Sequence, residues 1–259
     1  MGYLYETHMH TCLASACGVS TGKEHVRYYK DIGFTGIIIT DHFFGGNTAV
    51  PRDLPWEQRI DLFFRGYEDA LEEGQKVGLD VFFGLEQNYE HDEYLIYGLD
   101  KEYLKAHPEV EHWTRHQQLE EVHRAGGAVI QAHPFRMRGY MDRIRVGELY
   151  ADGVEAANAG NWPLDDARAY VYAKQKGLLM TAGSDNHHSP AKQVFGVELE
   201  EKLTDISDYV RLILSHWPIG LHVPPERFVM PDEPIDERHI AYWVNEKEET
   251  VPLEAGPWR

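Results

Sequence analysis

Cysteine is scarce in this sequence of 259 residues, which contains only Cys12 and Cys17. A secreted scaffold stabilised by disulfides would need more cysteines at this length, so the composition favours a reducing compartment. No uninterrupted apolar stretch is long enough to span a bilayer, and the first residues lack the basic and apolar regions of a signal peptide. The sequence therefore predicts a cytoplasmic protein that has no membrane partner.

Basic residues are also few, because 25 Lys and Arg residues stand against 43 Asp and Glu residues. The formal net charge of −18 repels a nucleic-acid backbone unless a local basic cleft overrides the mean field. We therefore expect no long nucleic acid as a partner, and the sequence leaves the oligomeric state open. The rest of the composition, 42% hydrophobic and 26% charged, is typical of a globular protein.

Short apolar runs alternate with longer amphipathic segments along the chain, which is typical of an α/β protein with mostly parallel strands. Capping boxes at Thr21 with Glu24, and at Thr114 with Gln117, predict the starts of two helices. Helical spacing predicts one long helix over residues 56–77. The predicted strands cover residues 3–10, 34–40, 80–86, 94–97, 128–133, 153–158, 178–182 and 195–199, with a hairpin between the third and fourth.

Six or seven strand–helix units in one chain favour a barrel over an open sheet. We expect residues 1–215 to form this barrel. Residues 216–259 are rich in Pro and Glu, and they are predicted to form an irregular or β-containing extension packed on its outside. In a barrel of parallel strands the chemistry lies at the carboxyl ends of the strands, so these ends predict the site.

Imidazoles and carboxylates stand at the ends of five predicted strands. The first strand ends in His8-Met9-His10, and an extended chain directs residues i and i+2 to the same face, so both rings converge. One such histidine alone would be a hydrogen-bonded structural residue, but five coincident strand ends favour a multinuclear metal centre with bridging carboxylates. The other members are His42, Glu86, His133, Asp185 and His187.

The strand-end motifs are, in chain order, His8-x-His10, Thr40-Asp41-His42, Glu86, Ala132-His133-Pro134 and Ser184-Asp185-Asn186-His187. This ordered set resembles the motifs of the PHP (polymerase and histidinol phosphatase) family over roughly residues 1–200. The resemblance implies a distorted seven-stranded β/α barrel, two or three Zn, Mn or Fe ions, and hydrolysis of phosphoesters. It also implies a set of ligands: His8, His10, Glu86 and Asp185 for a first ion, Glu86 and His133 for a second, and His42 and His187 for a third.

The chain departs from the family pattern at two places. Where many members have His or Asp after the His-x-His pair, this chain has Ser15 and Cys17, so a third ion has a thiolate ligand or lacks one. A buried, inert thiol is an equally good interpretation of Cys17. The family often places a His on the segment after the Glu, where this chain offers His91, Glu93 and Asp100. Glu93 is preferred, because it precedes Tyr-Leu-Ile-Tyr-Gly.

The expected mechanism follows from two neighbouring cations. They lower the pKa of a bridging water and clamp the phosphate oxygens, so that hydroxide attacks phosphorus in line, and a third ion would stabilise the leaving oxygen. The phosphoryl group also needs cationic neighbours, and Arg136, Arg138 and Lys192 follow two of the strand ends. Surface solvation explains any one of these equally well, and Arg136 is the preferred substrate-binding residue.

The sequence therefore predicts a metal-dependent phosphoesterase, a phosphatase or phosphodiesterase that acts on a small phosphorylated metabolite or nucleotide. One alternative is an exonuclease on short oligonucleotides. A second alternative is a non-catalytic module stabilised by metal, against which the intact ligands at every strand end argue. The residues expected to take part in catalysis are His8, His10, Glu86, His133, Asp185 and His187.

Overall fold

Twelve strands and seven helices form the part of the chain that the computed structural model describes, which is residues 2–232, 235–254 and 256–258. The strands are β1 (Tyr3–Glu6), β2 (Gly36–Ile39), β3 (Asp80–Tyr89), β4 (Asp92–Tyr97), β5 (Ala128–Ala132), β6 (Ile144–Val146), β7 (Gly153–Asn158), β8 (Leu179–Gly183), β9 (Gly196–Leu199), β10 (Gly220–His222), β11 (Ala241–Val244) and β12 (Thr250–Pro252). The helices are α1 (Gly22–Asp31), α2 (Trp56–Phe63), α3 (Arg65–Val77), α4 (Lys101–Ala106), α5 (Arg115–Arg124), α6 (Pro163–Lys176) and α7 (Ile206–Leu214). None of these helices combines the length and the apolar character needed to cross a membrane.

Nine of the strands form one sheet in the order β10-β9-β1-β2-β3-β4-β5-β7-β8. Strands β1, β2 and β3 are parallel, as are β5, β7 and β8. Beyond β1 and β8, the backbone of Met9 forms a parallel bridge with Asn186, so the sheet is nearly closed into a barrel. The α/β barrel-like class is confirmed. The sheet has nine strands rather than seven, because β9 and β10 extend it antiparallel beyond β1.

The barrel core forms because the strand sequences are apolar on both faces. All four residues of β2, Gly-Ile-Ile-Ile, are buried, as expected for a parallel strand covered by helices outside and by other strands inside. Aromatic side chains including Phe43, Phe63 and Phe83 pack into the largest core cluster. This packing fixes the positions at which the neighbouring strands end, and those ends carry the candidate ligands.

Both predicted capping boxes are present, at the starts of α1 and α5. The single helix predicted over residues 56–77 is wrong, because the chain forms α2 and α3 with a break at Phe64. Helix α3 begins where its backbone packs directly on the loop after β1. A Cβ atom on Gly66 would lie 2.2 Å from Oγ1 of Thr11 and 2.5 Å from Oδ2 of Asp41. Helical periodicity carries no information about such a tertiary contact.

The predicted hairpin is confirmed as β3 and β4, joined by Glu90 and His91. Both turn residues have positive φ angles, 45° and 77°, as in the two-residue turns that match the twist of antiparallel strands. Strand β4 therefore runs opposite to β3 and β5. Its first residues, including Glu93, lie at the same face as the carboxyl ends of those neighbours.

Strands beyond residue 215 pair with strands before it. Strand β10 joins the nine-stranded sheet through β9, and β11 pairs with β6 in a separate sheet of order β12-β11-β6. The predicted domain boundary after residue 215 stays a prediction. Arg227 ties the C-terminal part to helix α6, because its Nη2 atom lies 2.5 Å from Oδ2 of Asp166 and both side chains are buried.

We expect Arg227→Ala to destabilise the protein by about 3 kcal/mol, because it leaves the Asp166 carboxylate buried without its counter-ion. The melting temperature should fall by roughly 6–12 °C in calorimetry. Burial raises the pKa of Asp166 to about 7, although Arg227 lowers it. A carboxyl whose pKa is raised in the folded state contributes stability that is lost as the pH rises from about 4 to about 7.

The deficit of Arg227→Ala should shrink as the pH falls to about 7, because Asp166 then becomes protonated in both folded proteins and its uncompensated charge disappears. Arg211→Ala is the matched control. That exposed guanidinium pairs with Asp208 within helix α7, and its removal should change the melting temperature little. Equal melting temperatures for Arg227→Ala and Arg211→Ala would contradict the prediction.

Candidate metal centre

The carboxylate of Glu86, on β3, lies at the centre of four histidine rings. Its Oε1 atom is 3.1 Å from Nε2 of His8 and 3.4 Å from Nε2 of His133. Its Oε2 atom is 2.5 Å from Nδ1 of His42 and 3.6 Å from Nε2 of His10. The convergence of His8 and His10 is confirmed by the 3.1 Å distance between their Nε2 atoms.

Asp185, two residues after the end of β8, forms the second carboxylate of the cluster. Its Oδ1 atom lies 3.1 Å from Nε2 of His10, and 3.6 Å from both Nε2 of His8 and Nδ1 of His187. Its Oδ2 atom lies 2.6 Å from Nη2 of Arg136. The loop after β8 thus joins the two histidines that follow β1 to a buried guanidinium.

The two departures from the family pattern, Cys17 and Glu93, also lie in this cluster. The Oε2 atom of Glu93 is 3.4 Å from Nε2 of His133, and the Sγ atom of Cys17 is 3.1 Å from Nε2 of His187. All nine candidate ligands therefore come together. They lie beneath or along a cleft of about 380 Å³, which is lined by residues that include Cys17, His42, Asn88, Glu93, Arg136, Tyr140, Asp185 and His187.

Unpartnered polar atoms indicate that this cluster fits divalent cations. Both carboxylate oxygens of Glu86, Nδ1 of His42 and Nε2 of His133 are buried, and among the described residues none of them has a partner with hydrogen-bond geometry. Leaving such atoms without partners is costly, and a cation would satisfy all of them. Mixed imidazole and carboxylate ligands suit Zn, Mn and Fe. Four triplets have ligand atoms within 4.8 Å of one another: His10, His42 and His187; His8, Glu86 and His133; His8, His10 and Asp185; and His42, Glu86 and Glu93.

Hydrogen bonds behind the cluster fix which ring nitrogen of His8 and of His10 faces it. Nδ1 of His8 lies 3.0 Å from Oε1 of Glu155, and Nδ1 of His10 lies 3.2 Å from Oγ of Ser15. The Ser15 hydroxyl in turn donates to Oδ1 of Asp41 at 2.6 Å. With each Nδ1 acting as the donor, Nε2 of both histidines keeps its lone pair directed at the carboxylates, which is the orientation a metal ligand needs.

Sequence reasoning missed Glu155 and gave Asp41 no role. Glu155 is fully buried on β7, and its Oε2 atom accepts from the backbone N–H of His133 at 3.0 Å and from Asn158 at 2.8 Å. The available signal was an acidic residue inside an otherwise apolar strand, Gly-Val-Glu-Ala-Ala. Asp41 belongs to the Thr-Asp-His motif, in which only the neighbouring His42 was predicted to bind metal.

We expect Glu155→Gln to lower metal affinity about 10- to 100-fold while the fold persists. Glutamine has one acceptor oxygen, so it cannot serve both His8 and the backbone N–H of His133 as the two oxygens of Glu155 do. Competition with a chromophoric chelator measures the affinity. Glu198→Gln, at an exposed carboxylate on β9, is the matched control and should bind metal as the unmodified protein does. Unchanged affinity in Glu155→Gln would show that Glu155 does not orient the ligands.

Two candidate ligands have backbone conformations that non-glycine residues rarely adopt. The φ angles of His133 and Asp185 are 30° and 53°, in the left-handed region. Each such residue costs of order 1–3 kcal/mol, and strain of this kind is concentrated at active sites, where surrounding contacts hold it in place. Both residues lie within two residues of a strand end, and the strained backbone turns their side chains toward Glu86 and His10.

Charge compensation among these groups sets their pKa values. Burial by itself would raise the pKa of Glu86, but the imidazoles of His42 and His8 hold it well below its usual range. Burial likewise opposes the ionisation of Asp185, and Arg136 nevertheless keeps that pKa well below its ordinary value. Burial opposes the Cys17 thiolate as well, yet hydrogen bonds with His187 and His42 lower the pKa of Cys17 to about 6. The carboxylates are thus stabilised by positive charge, which bound cations would also provide.

The three predicted substrate-binding residues lie in different places. Arg136 lines the cleft, and its Nη2 atom donates to Oδ1 of Asn158 at 2.9 Å. Arg138 instead donates to the carbonyl of Gly160 at 2.7 Å and lines a neighbouring cavity. Lys192 is exposed and is not among the residues that line the cleft. The structure therefore brings only Arg136 to the cluster, because the loops after β5 and β8 turn the other two away.

No protein-family model matches the chain, and no curated protein sequence matches it. Solved structures do. One from Bifidobacterium adolescentis, described as a candidate metal-dependent phosphoesterase, has 19% identity and a TM-score of 0.52, and the match covers 82% of this chain and 95% of that one. A two-domain protein from Bacteroides vulgatus that contains a predicted PHP-like metal-dependent phosphoesterase has 16% identity and a TM-score of 0.56, with 85% of this chain and 64% of that chain covered.

An amidohydrolase from Chromobacterium violaceum, solved with bound sulfate and no metal, has 14% identity and a TM-score of 0.51, and the match covers 86% of this chain and 99% of that one. Identities this low establish the fold alone. The resemblance that the motifs indicated is thereby confirmed in three dimensions: the chain has the fold of PHP-like metal-dependent phosphoesterases.

Proposed function

We propose that this protein is a metal-dependent hydrolase of small phosphate esters. The observation that carries the proposal is the convergence of four imidazoles on the buried carboxylate of Glu86, whose oxygens have no partner with hydrogen-bond geometry among the described residues. A cluster of this kind at the mouth of a barrel serves metal-assisted chemistry rather than stability.

The proposed ligands fall into three sets, two of which share Glu86. His8, His10, Glu86 and Asp185 would hold one cation, Glu86, Glu93 and His133 a second, and His42 and His187 a third. When bound, such cations supply an activated water and neutralise charge on phosphate oxygens. Because Glu86 belongs to both the first and the second set, its two oxygens would serve both cations.

Arg136 is the residue proposed to bind the phosphoryl group. Its Nε atom donates to Oδ1 of Asn161 at 2.7 Å, and its Nη2 atom is engaged by Asn158 and Asp185. Among the described residues nothing accepts from its Nη1 atom, so two N–H groups stay available at the edge of the cleft. Because the guanidinium is already held by three partners, it can receive a phosphate oxygen with little reorganisation.

The cleft favours a small substrate over a nucleic-acid strand. Its volume is about 380 Å³, and Arg136 is the single Arg or Lys residue among the described residues that line it. An exonuclease would need a basic, aromatic-lined channel to lead a strand to the metals. The sulfate bound in the Chromobacterium violaceum structure, a tetrahedral anion like phosphate, supports an anionic substrate for this fold.

The test is metal analysis of freshly purified protein, followed by a screen for phosphate release with Zn, Mn and Fe loaded separately. The substrates are phosphomonoesters that include histidinol phosphate, cyclic nucleotides, short oligonucleotides, and N-acyl amino acids as an amide control. We expect metal-dependent turnover of one or more small phosphate esters. Turnover of oligonucleotides alone would favour the exonuclease, and turnover of amides alone would favour an amidohydrolase. Two or more bound metals without any turnover would favour the non-catalytic module.

A further inference from the structure

We propose that Cys17 makes one cation position a thiolate–imidazole site, shared with His42 and His187, that selects Zn²⁺ beside a harder, carboxylate-rich position at Glu86 and Glu93. The inference rests on the proposed metal-dependent function and adds which metal each position prefers. It concerns this chain in particular, because the thiol is one of its departures from the family pattern.

The thiol lies against an existing cluster of imidazoles. The Sγ atom of Cys17 is 3.1 Å from Nε2 of His187, and both residues line the cleft together with His42. One ring nitrogen from each of His10, His42 and His187 lies within 4.8 Å of the others. His42 is only 8% exposed, and it lines the same cleft as the thiol. A cation next to Cys17 would therefore find nitrogen ligands already gathered.

Backbone hydrogen bonds hold the thiol at this position. The N–H of Ala16 donates to the carbonyl of Asn47 at 2.8 Å, and the N–H of Val19 donates to the carbonyl of His187 at 2.8 Å. These two bonds flank Cys17 and tie its loop directly to the residue whose ring it contacts. The main chain thus keeps Cys17 beside His187, and a single side-chain torsion then places the sulfur against the ring.

The two ends of the cluster differ in the hardness of their ligand atoms. Cys17, His42 and His187 offer sulfur and nitrogen, the atoms that bind Zn²⁺ in structural and catalytic sites. Glu86 and Glu93 offer oxygen, which suits Mn²⁺ and other hard cations. A mixture of metals should therefore distribute unequally, with Zn²⁺ enriched at the position that Cys17 shares.

Cobalt(II) titration of the metal-free protein tests this directly, because a thiolate ligand adds a near-ultraviolet charge-transfer band to the visible bands of bound cobalt. We expect the band in the unmodified protein and in Cys12→Ser, the matched control that removes the other thiol. Cys17→Ser should lose the band and about one equivalent of Zn²⁺. Cys17→Asp should still bind cobalt at full stoichiometry but without the band, which separates loss of the thiolate from loss of the fold.

Cobalt bound at full stoichiometry without the band in the unmodified protein would overturn the inference. The same conclusion would follow if Cys17→Asp kept the band. Phosphate-ester turnover, measured on the same protein samples, keeps the two proposals distinct. Turnover without the band would reject the thiolate site and support the hydrolase. The band without turnover of any ester would support the thiolate site and reject the hydrolase.

Discussion

Replacing Glu86 with glutamine is expected to lower turnover by at least about 10³-fold, since several kcal/mol of transition-state stabilisation by metal corresponds to about three powers of ten in rate. Glu86 contacts four imidazoles with its two oxygens, and the neutral amide of Gln carries a nitrogen in place of one of them. The variant should also bind at least one metal ion fewer. Steady-state kinetics and elemental analysis of the purified variant measure both effects.

Glu57→Gln is the control for this substitution, because Glu57 is an exposed carboxylate on α2 and is not one of the candidate ligands. It should keep both the turnover and the metal content of the unmodified protein. A Glu86→Gln variant with a full complement of metal and undiminished rates would show that Glu86 is not a ligand. The central position assigned to it would then be wrong.

Removing the metals with a chelator is expected to abolish turnover and to lower the melting temperature by roughly 5–10 °C. A cation present at 100 times its dissociation constant stabilises the folded state by about 2.7 kcal/mol, and each kcal/mol shifts the melting temperature of a protein this large by about 2–4 °C. Differential scanning calorimetry with and without chelator measures the shift. Addition of Zn, Mn or Fe to the metal-free protein should restore both properties.

This stabilisation should be larger at pH 8 than at pH 6. Burial opposes protonation of His8 and His42, but nearby carboxylates, Glu155 for His8 and Glu86 for His42, raise both pKa values well above 6.5. In metal-free protein these protonated rings contribute stability that is fully present below pH 6.5 and is lost as the pH rises through their raised pKa values. Metal requires the neutral rings, so its affinity increases over the same range.

The Glu86→Gln variant is the control for the chelator experiment, because chelation should shift its melting temperature less than that of the unmodified protein. An equal shift in both proteins would place the stabilising metal elsewhere. A melting temperature that does not respond to chelator at either pH, in protein shown to contain metal beforehand, would contradict the assignment of a metal centre at the barrel mouth.

Local signals in the sequence predicted much of the fold, and tertiary contacts explain the rest. Both capping boxes and the β3–β4 hairpin were predicted, because hydrogen bonds within a few residues determine them. The break between α2 and α3 was not predicted, and it lies where Gly66 packs against Thr11, a tertiary contact that helical spacing does not reveal. The three-residue strand β10 was missed for the same reason: its partner β9 defines it, and its own residues carry little preference.

The candidate ligands could be predicted because parallel strands bring their ends to one face whatever the exact register. The supporting residues could not. Glu155 lies within a strand, and its contact with Nδ1 of His8 joins residues 147 positions apart. Arg138 and Lys192 follow strand ends as Arg136 does, but their loops direct them elsewhere. The sheet fixes the positions of the strand ends, whereas the conformation of each loop depends on that loop's own contacts.

Strand β10 pairs with β9, which would otherwise be an exposed edge strand of the sheet. It supplies the antiparallel partner of β9 on the side away from β1. Without the residues after 215, the backbone N–H and C=O groups of β9 would be exposed in a row, and such a row recruits strands from other molecules. The C-terminal residues therefore also guard this molecule against self-association, and a version ending near residue 215 would be prone to aggregate however well its metal ligands were preserved.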